Sequence, residues 1–302
     1  MCFRIRLLVL FLFATSAGVS AQKYVGLNVD NDLYFGIDRY YTSGIFIEFG
    51  GVQKQSSDSL SKARIISHHW TLGQEINTPA IRLTQQLSQM DYPYNGWLFL
   101  GYKKEYYLHP NLGYGWGIQG GTTGANASLA KFLQNTYHIN VLGLPPLSWS
   151  RSIPQAFHLN GNASFFWGEI LIGKVKWVNQ NELQAGTFRN SFKSRFGFQF
   201  GGLSGLPFFG NRLEIAQNGF SFFMGMQLEY NVHDYSLSGS LWRDTSPFNL
   251  VVEKWRNNYQ AGIIYFRMPW RAQILLNNTS RYIETQKYKR HPFLKIILTH
   301  VF

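Results

Sequence analysis

The chain has 302 residues and a formal charge of +12, with 17% aromatic and only 15% charged residues. Soluble domains average roughly 25% charged residues, so the composition disfavours an ordinary soluble protein. The single cysteine, Cys2, excludes a disulfide framework and a thiolate metal site from the rest of the chain. No module that combines basic and aromatic residues is present, so we expect no nucleic-acid partner. The positive charge instead favours an anionic one.

The N-terminus has the pattern of a secretory signal peptide. Arg4 and Arg6 precede a short apolar run, and small residues end at Ala21. We predict a signal peptide over residues 1–21 and one domain over residues 22–302. No later stretch has the eighteen or so apolar residues that a membrane helix needs, which leaves a periplasmic protein, a secreted protein or an outer-membrane β-barrel. The low charge and many aromatics favour the barrel.

Alternating apolar and polar residues predict strands along most of the mature chain. In the first strand, Val25 and Leu27 alternate with Asn28 and Asp30, as in a membrane barrel with one face toward lipid. The fold class is therefore all-β, a transmembrane antiparallel β-barrel of about twelve strands. The predicted strands are 24–30, 44–49, 64–77, 97–108, 112–121, 164–177, 182–190, 193–203, 220–231, 256–268, 269–283 and 292–302, with residues 232–242 as a loop.

One segment, residues 126–138, changes from a period of two to the helical period of 3.6. Asn126 is a suitable N-cap, and Gln134 and His138 are four residues apart, which places them on one helical face. Glycines alternate along the preceding strand and leave room for the helix to approach. We predict a single short extracellular helix beside the barrel wall.

Residues whose side chains are suited to catalysis or metal binding cluster at Asn31, Asp32 and Thr42, in and beside an unusually polar connector between two strands. Counting along the second strand places Thr42 on the polar side. A histidine such as His138 can act as general base when a polar partner fixes its tautomer, although a satisfied surface histidine is the alternative. Carboxylate and amide oxygens suit Ca²⁺, whereas no His/Cys cluster has zinc-ligand spacing.

Three sequence blocks, in order, resemble the outer-membrane lipid A 3'-O-deacylase family (LpxR-like). The first block is Asn31 to Gly44, which reads NDLYFGIDRYYTSG. The second is Asp91 to Trp97, and the third combines Gly120 to Gly124 with the Gln134-x-x-x-His138 spacing. The resemblance spans most of the mature chain, with strand pattern alone supporting the second half.

The resemblance implies a twelve-stranded barrel with an extracellular helix that carries the catalytic His138. It implies Ca²⁺-dependent hydrolysis, loosely like that of secreted phospholipase A2, which removes the 3'-linked acyl or acyloxyacyl chain of lipid A in the outer membrane. By motif position, Asn31 and Asp32 would shape the site and hold the calcium, Thr42 would contribute a hydroxyl, Gln134 would support His138, and His138 would activate water. We expect a monomer that acts on lipopolysaccharide.

Three alternatives remain open at the level of sequence. Family members usually have an acidic residue soon after the histidine, and the run Ile139 to Leu147 has none. The chain can therefore be an inactive, lipid-binding relative. An outer-membrane phospholipase with a serine nucleophile is disfavoured, because none of the eight histidines has the expected serine two residues later. A passive pore is the third alternative, and large inward side chains would fill so small a barrel.

Overall fold

A computed structural model describes residues 21–54, 65–209, 218–242 and 250–302 of the protein. Twelve antiparallel strands form one closed barrel, in which each strand pairs with its sequence neighbours and the first pairs with the last. The strands are β1 Ala21–Asn31, β2 Tyr40–Lys54, β3 Ile65–Thr78, β4 Asn95–His109, β5 Leu112–Thr123, β6 Phe157–Ile172, β7 Val175–Gly186, β8 Arg189–Gly201, β9 Gly219–Asp234, β10 Trp255–Arg267, β11 Trp270–Ser280 and β12 Arg290–Val301.

The predicted barrel of twelve strands is confirmed. Val25 and Leu27 of β1 are exposed on the outer wall, whereas Asn28 and Asp30 are buried in the interior. Closure satisfies the backbone hydrogen bonds of every strand, and the apolar outer wall is the surface that lipid requires. Within the described part of the chain, no helix is apolar and long enough to span a membrane.

Several predicted boundaries are wrong. The strand predicted over 164–177 spans the end of β6 and the start of β7, which are joined by a tight turn at Gly173, where φ is +53°. The segment 182–190 likewise crosses from β7 into β8. The apolar and polar alternation continues through both short turns, so period alone does not reveal them. Residues 1–20, most of the predicted signal peptide, lie outside the described residues.

The predicted helix is present but begins later than expected. Helix α1 spans Ala130–Tyr137 and continues as a wider π-helical turn over His138–Leu142. The prediction of Asn126 as N-cap is wrong, because a tight turn precedes the helix. The Asn126 carbonyl accepts from Leu129 N, and Leu129 has a left-handed φ of +61°.

Helix α1 packs against the outer wall of the barrel with its polar side inward. A Cβ on Gly96 of β4 would collide with Ser128 and Ala130, so this glycine permits the close approach. The glycines of β5, which we expected to admit the helix, instead face neighbouring strands and interior side chains such as Phe166. Gln134 and His138 are buried, whereas Phe132 and Val141 are 65% and 63% exposed.

The barrel end at which β1 begins and β12 ends is sealed by the segment 202–209, hereafter the plug, which follows β8. Four apolar plug residues are buried in the core cluster at this end: Leu203, Leu206, Phe208 and Phe209. Lys176 Nζ donates to the carbonyls of Leu203, Ser204 and Gly205 at 2.7, 2.6 and 3.0 Å. A further short connection, helix α2 Tyr235–Ser238, lies at the other end, within the segment predicted as a loop.

Above the plug, the interior holds a polar cavity of about 400 Å³. Ion pairs cross it, including Arg189 to Glu75 at 2.8 Å, Arg256 to Glu229 at 2.8 Å and Lys295 to Asp30 at 3.2 Å. Because both charges of each pair lie inside the barrel, their removal from bulk water is offset by mutual attraction and hydrogen bonding.

The lysine that holds the plug provides a test of the sealed lumen. We expect wild-type protein to conduct little current in a planar bilayer and Lys176→Met to conduct more, because three buried carbonyls lose their donor. Lys174→Met, at the exposed turn two residues earlier, is the matched control and should behave as wild type. Equal conductance of Lys176→Met and wild type would show that the plug does not depend on this lysine.

Candidate functional site

The site lies at the barrel end opposite the plug, where the connection from β1 to β2 meets helix α1. Strand β1 ends at Asn31, so Asp32 is the first residue beyond the sheet, and its backbone N–H donates to the Thr42 carbonyl at 3.2 Å. This strand end is what allows the Asp32 side chain to turn away from the lumen.

Strand β2 contributes Thr42 through an irregularity in its pairing. The register with β3 shifts between Tyr41 and Ser43, which leaves Thr42 as the extra residue of a bulge. Tyr41 then faces the lumen and donates to Asp30 at 2.7 Å, while Thr42 is buried in the site. Our placement of Thr42 on the polar side by simple alternation along the strand is therefore wrong, because the bulge reverses the parity.

An aspartate and a histidine form the centre of the site. His138 Nε2 lies 3.0 Å from Asp38 Oδ2, and both side chains are almost fully buried. An ionised carboxylate can only accept, so Nε2 carries the proton in this contact. The other ring nitrogen, Nδ1, is buried and has no hydrogen-bond partner within the described residues. Asp38 thus fixes the tautomer in which Nδ1 has the free lone pair.

Hydrogen bonds from His138, Thr42 and Arg82 keep Asp38 ionised. Burial alone would raise the pKa of its carboxyl, but hydrogen bonds from His138, Thr42 and Arg82 outweigh burial and lower the pKa below its usual value. Arg82 lies 2.7 Å from Asp38 Oδ2. The donors come from the helix, a strand and the loop after β3, so Asp38 ties these three elements together.

Asp32 is the opposite case, a buried carboxyl that forms no ion pair with any described residue. Its oxygens contact the Thr42 hydroxyl at 2.8 Å and the Arg39 backbone N–H at 3.0 Å, both neutral groups. Burial raises the pKa of Asp32 to about 8. Thr42 also lies 2.7 Å from Asp38, and one hydroxyl proton cannot serve two carboxylates. A proton on Asp32 resolves the conflict.

Gln134 links the helix to the long loop after it. Its Nε2 lies 3.5 Å from Asp38 Oδ1, and its Oε1 accepts from the Trp149 indole at 3.0 Å. Trp149 is buried and stacks on Tyr94 with ring centroids 5.1 Å apart. The loop after the helix is therefore clamped onto the site.

Among the predicted site residues, Asn31 is the one whose side chain has no hydrogen bond within the cluster around Asp38 and Asp32. Its Oδ1 accepts from Leu33 N at 2.6 Å and thereby fixes the turn that follows β1. No group of three or more His, Cys, Asp or Glu that could hold a metal occurs among the described residues. A cation here would have to combine Asp32 with neutral oxygens.

Asp38, Arg82 and Trp149 were not among the functional residues predicted from the sequence. Asp38 lies inside the first motif block. The sequence immediately after His138 has no acidic residue, which was the one indication that the carboxylate beside the histidine comes from another part of the chain. Nothing in the sequence marks Arg82 or Trp149, because their contacts depend on how two loops fold over the rim.

Comparison with known proteins agrees with this architecture. The family described as outer membrane protein LpxR matches residues 4–302. Among solved structures, LpxR from Salmonella typhimurium has a TM-score of 0.73 at 17% identity, covering 92% of this chain and 100% of that one. The beta domain of the Bordetella autotransporter BrkA has a TM-score of 0.50 at 8% identity, covering 94% and 99%. No curated protein sequence matches the chain. At these identities the structural likeness concerns the fold alone.

The raised pKa of Asp32 predicts a pH-dependent stability. The carboxyl keeps its proton up to a pKa of about 8 in the folded protein but ionises near 3.8 when unfolded. Stability from this group is therefore full at low pH and is lost as the pH rises toward 8. In chelator, we expect the wild-type melting temperature to fall by several degrees between about pH 5 and about pH 9.

Asp32→Asn should flatten this dependence, because the amide does not ionise. Glu169→Gln, which alters an exposed acid on the outer wall, should keep the wild-type slope. The measurement is intrinsic tryptophan fluorescence during thermal unfolding in detergent. A wild-type slope in Asp32→Asn would contradict the assignment.

Proposed function

The chain belongs to the LpxR family of outer-membrane proteins, and from this premise we propose that it is an esterase that removes the 3'-linked acyl or acyloxyacyl chain from lipid A. The observation that carries the proposal is the buried contact between His138 and Asp38. It presents an imidazole with one nitrogen fixed by a carboxylate and the other free to accept a proton, which is what a general base requires.

The orientation of helix α1 supports a lipid substrate. The helix buries its polar residues against the barrel and exposes an apolar side, which includes Phe132, Tyr137, Ile139 and Val141. A helix in water does the reverse. With its apolar side in the acyl-chain layer, α1 holds His138 at the depth where the ester bonds of a lipid lie.

The hydrolysis we propose uses His138 Nδ1 as the base. Water transfers a proton to Nδ1 as its oxygen attacks the ester carbonyl carbon, and the resulting imidazolium is stabilised by ionised Asp38. The bond from the carbonyl carbon to the sugar oxygen then breaks, and the imidazolium returns the proton to that oxygen. The products are a free fatty acid and a sugar hydroxyl. Gln134 and Thr42 act as positioning residues, since both contact Asp38.

The oxygen donors at the site fit a hard cation such as Ca²⁺. Asp32 is a fully buried carboxyl whose two hydrogen-bond partners are neutral, so a bound cation would offset the cost of burying its charge, the burial that now raises its pKa. Asp32 would be the principal ligand, and neutral oxygens would complete the site. One of these would be Asn31 Oδ1, which would first have to release the Leu33 N–H that it now accepts from. When bound, the ion would stabilise the oxyanion of the ester.

Specific observations bear on the alternatives. The inactive relative was suggested by the missing acid after His138, and Asp38 supplies a carboxylate at 3.0 Å instead. A serine nucleophile is disfavoured, because within the described residues no serine hydroxyl hydrogen-bonds to His138. The plug disfavours a passive pore, since it fills the lumen at one end.

The first test is mass spectrometry of lipid A from cells that express wild type or His138→Ala at matched levels. We expect wild type to remove the mass of the 3' acyl or acyloxyacyl group and the variant to lose activity by about 10²- to 10⁴-fold, the usual contribution of a general base. Asp38→Asn should also lose most activity, because the amide no longer fixes the tautomer.

His109→Ala, which removes an exposed histidine from the turn between β4 and β5, is the matched control and should act as wild type. Unmodified lipid A from cells with correctly inserted wild type would reject the proposal in favour of a lipid-binding barrel. Full activity of His138→Ala would show that His138 is not the general base, while the proposal of lipid A deacylation would stand.

Removal of calcium provides a separate test. We expect a chelator to abolish release of fatty acid by purified wild type and added Ca²⁺, but not Mg²⁺, to restore it. Ca²⁺ should also raise the melting temperature of wild type, and Asp32→Asn should lose both responses because the variant lacks the anionic ligand. Activity that persists in chelator, with no thermal shift, would show that Asp32 serves the site without a metal.

A further inference from the structure

Arg39 lies near the rim and, unlike three other arginines there, is held by no carboxylate of the described residues. Within the described residues, Arg82 pairs with Asp38, Arg189 with Glu75 and Asp234, and Arg281 with Glu253. No described carboxylate lies within ion-pair distance of Arg39, and its Nε is buried without a hydrogen-bond partner. A partly buried guanidinium with an unused donor is an incomplete anion site.

The position of this guanidinium is fixed on both sides. Its backbone N–H donates to Asp32, and its Cζ lies 3.6 Å from the ring centroid of Tyr288 in the connection between β11 and β12. That connection is itself held, because Tyr288 N donates to the Tyr40 hydroxyl at 3.2 Å and Lys287 N donates to Asp91 at 3.1 Å. The cation is thus preorganised rather than free to swing into water.

Further positive charge lies beside it. Lys287 and Lys289 are exposed on either side of Tyr288, and Lys287 Nζ lies 5.7 Å from the same ring. Neither lysine forms an ion pair within the described residues. The group of Arg39, Lys287 and Lys289 therefore attracts anions at the rim, next to the residues that hold Asp32 and Asp38.

We propose that Arg39, supported by Lys287 and Lys289, binds a phosphate monoester carried by the sugar next to the acylated oxygen of the substrate. This inference rests on the proposed deacylase function. An ester placed at His138 brings the adjacent sugar substituents to the surrounding rim, and Arg39 follows Asp38 directly in the chain. A guanidinium fork matches phosphate geometry, and the buried Nε gains the acceptor that it lacks.

The test compares two lipid A substrates, one with the 4'-phosphate and one from which that phosphate has been removed. The quantity measured is the ratio of kcat/KM for the two. We expect wild type to prefer the phosphorylated lipid and Arg39→Gln to reduce that preference about tenfold to hundredfold, as for loss of a charge-assisted contact. Arg39→Lys should keep part of the preference, because it retains the charge but not the fork.

Arg281→Gln removes an equal charge from the connection between β11 and β12 that contains Tyr288, but this arginine is already paired with Glu253. It should leave the preference at the wild-type value. An equal loss on both substrates in Arg39→Gln would overturn the proposal and assign Arg39 to the support of Asp32 and Tyr288. Absence of any wild-type preference would overturn it as well.

A binding measurement separates this inference from the deacylase proposal. The same two lipids, and phosphatidylglycerol as another lipid phosphate, are titrated into the His138→Ala variant with and without Arg39→Gln. If wild type hydrolyses neither lipid A, the proposed function fails, and the binding data alone decide the phosphate site. Tighter binding of phosphorylated lipid A that Arg39→Gln removes supports it. Equal binding of both forms, or an equal Arg39-dependent effect on phosphatidylglycerol, overturns it.

Discussion

Pairing of β1 with β12 is the interaction on which the rest of the structure depends. It removes the two open edges of the sheet, so that no strand leaves its backbone groups unpaired in lipid. In the closed barrel the outer wall is largely apolar, while charges such as Asp30 and Lys295 pair inside. The rim beside this seam is also where β1 ends and the Asp32 turn begins.

The site is built from departures from the regular barrel. Strand β1 stops at Asn31, a bulge in β2 turns Thr42 out of the lumen, and a glycine at position 96 lets α1 approach the wall. Each departure helps to bring one polar side chain to the rim. Two carboxyls that meet there, those of Asp38 and Asp32, differ in their hydrogen-bond partners and therefore in protonation. Asp38 is surrounded by donors and ionised, whereas Asp32 lacks a cation and holds its proton.

Much of the fold could be predicted from the sequence because it follows from periodicity, whereas the site residues were assigned mainly through the resemblance of three sequence blocks to a known family. The alternation that includes Val25 and Leu27 indicates a lipid-facing wall, and the spacing of Gln134 and His138 places them on one helical face. Asp38 could not be assigned to His138, since the two are distant in sequence and meet only through loop folding. The turn at Gly173 and the start of α1 after Leu129 depend on backbone conformations that leave no periodic trace.

The inverted polarity of helix α1 has a consequence for biogenesis. In the aqueous periplasm its exposed apolar side would be in water, and the helix would gain little by resting on an unfinished wall. Only after the barrel enters the bilayer are both sides of α1 in the surroundings they require. The contact between Asp38 and His138, which depends on the position of α1, therefore gains its full support only when the barrel lies in the bilayer.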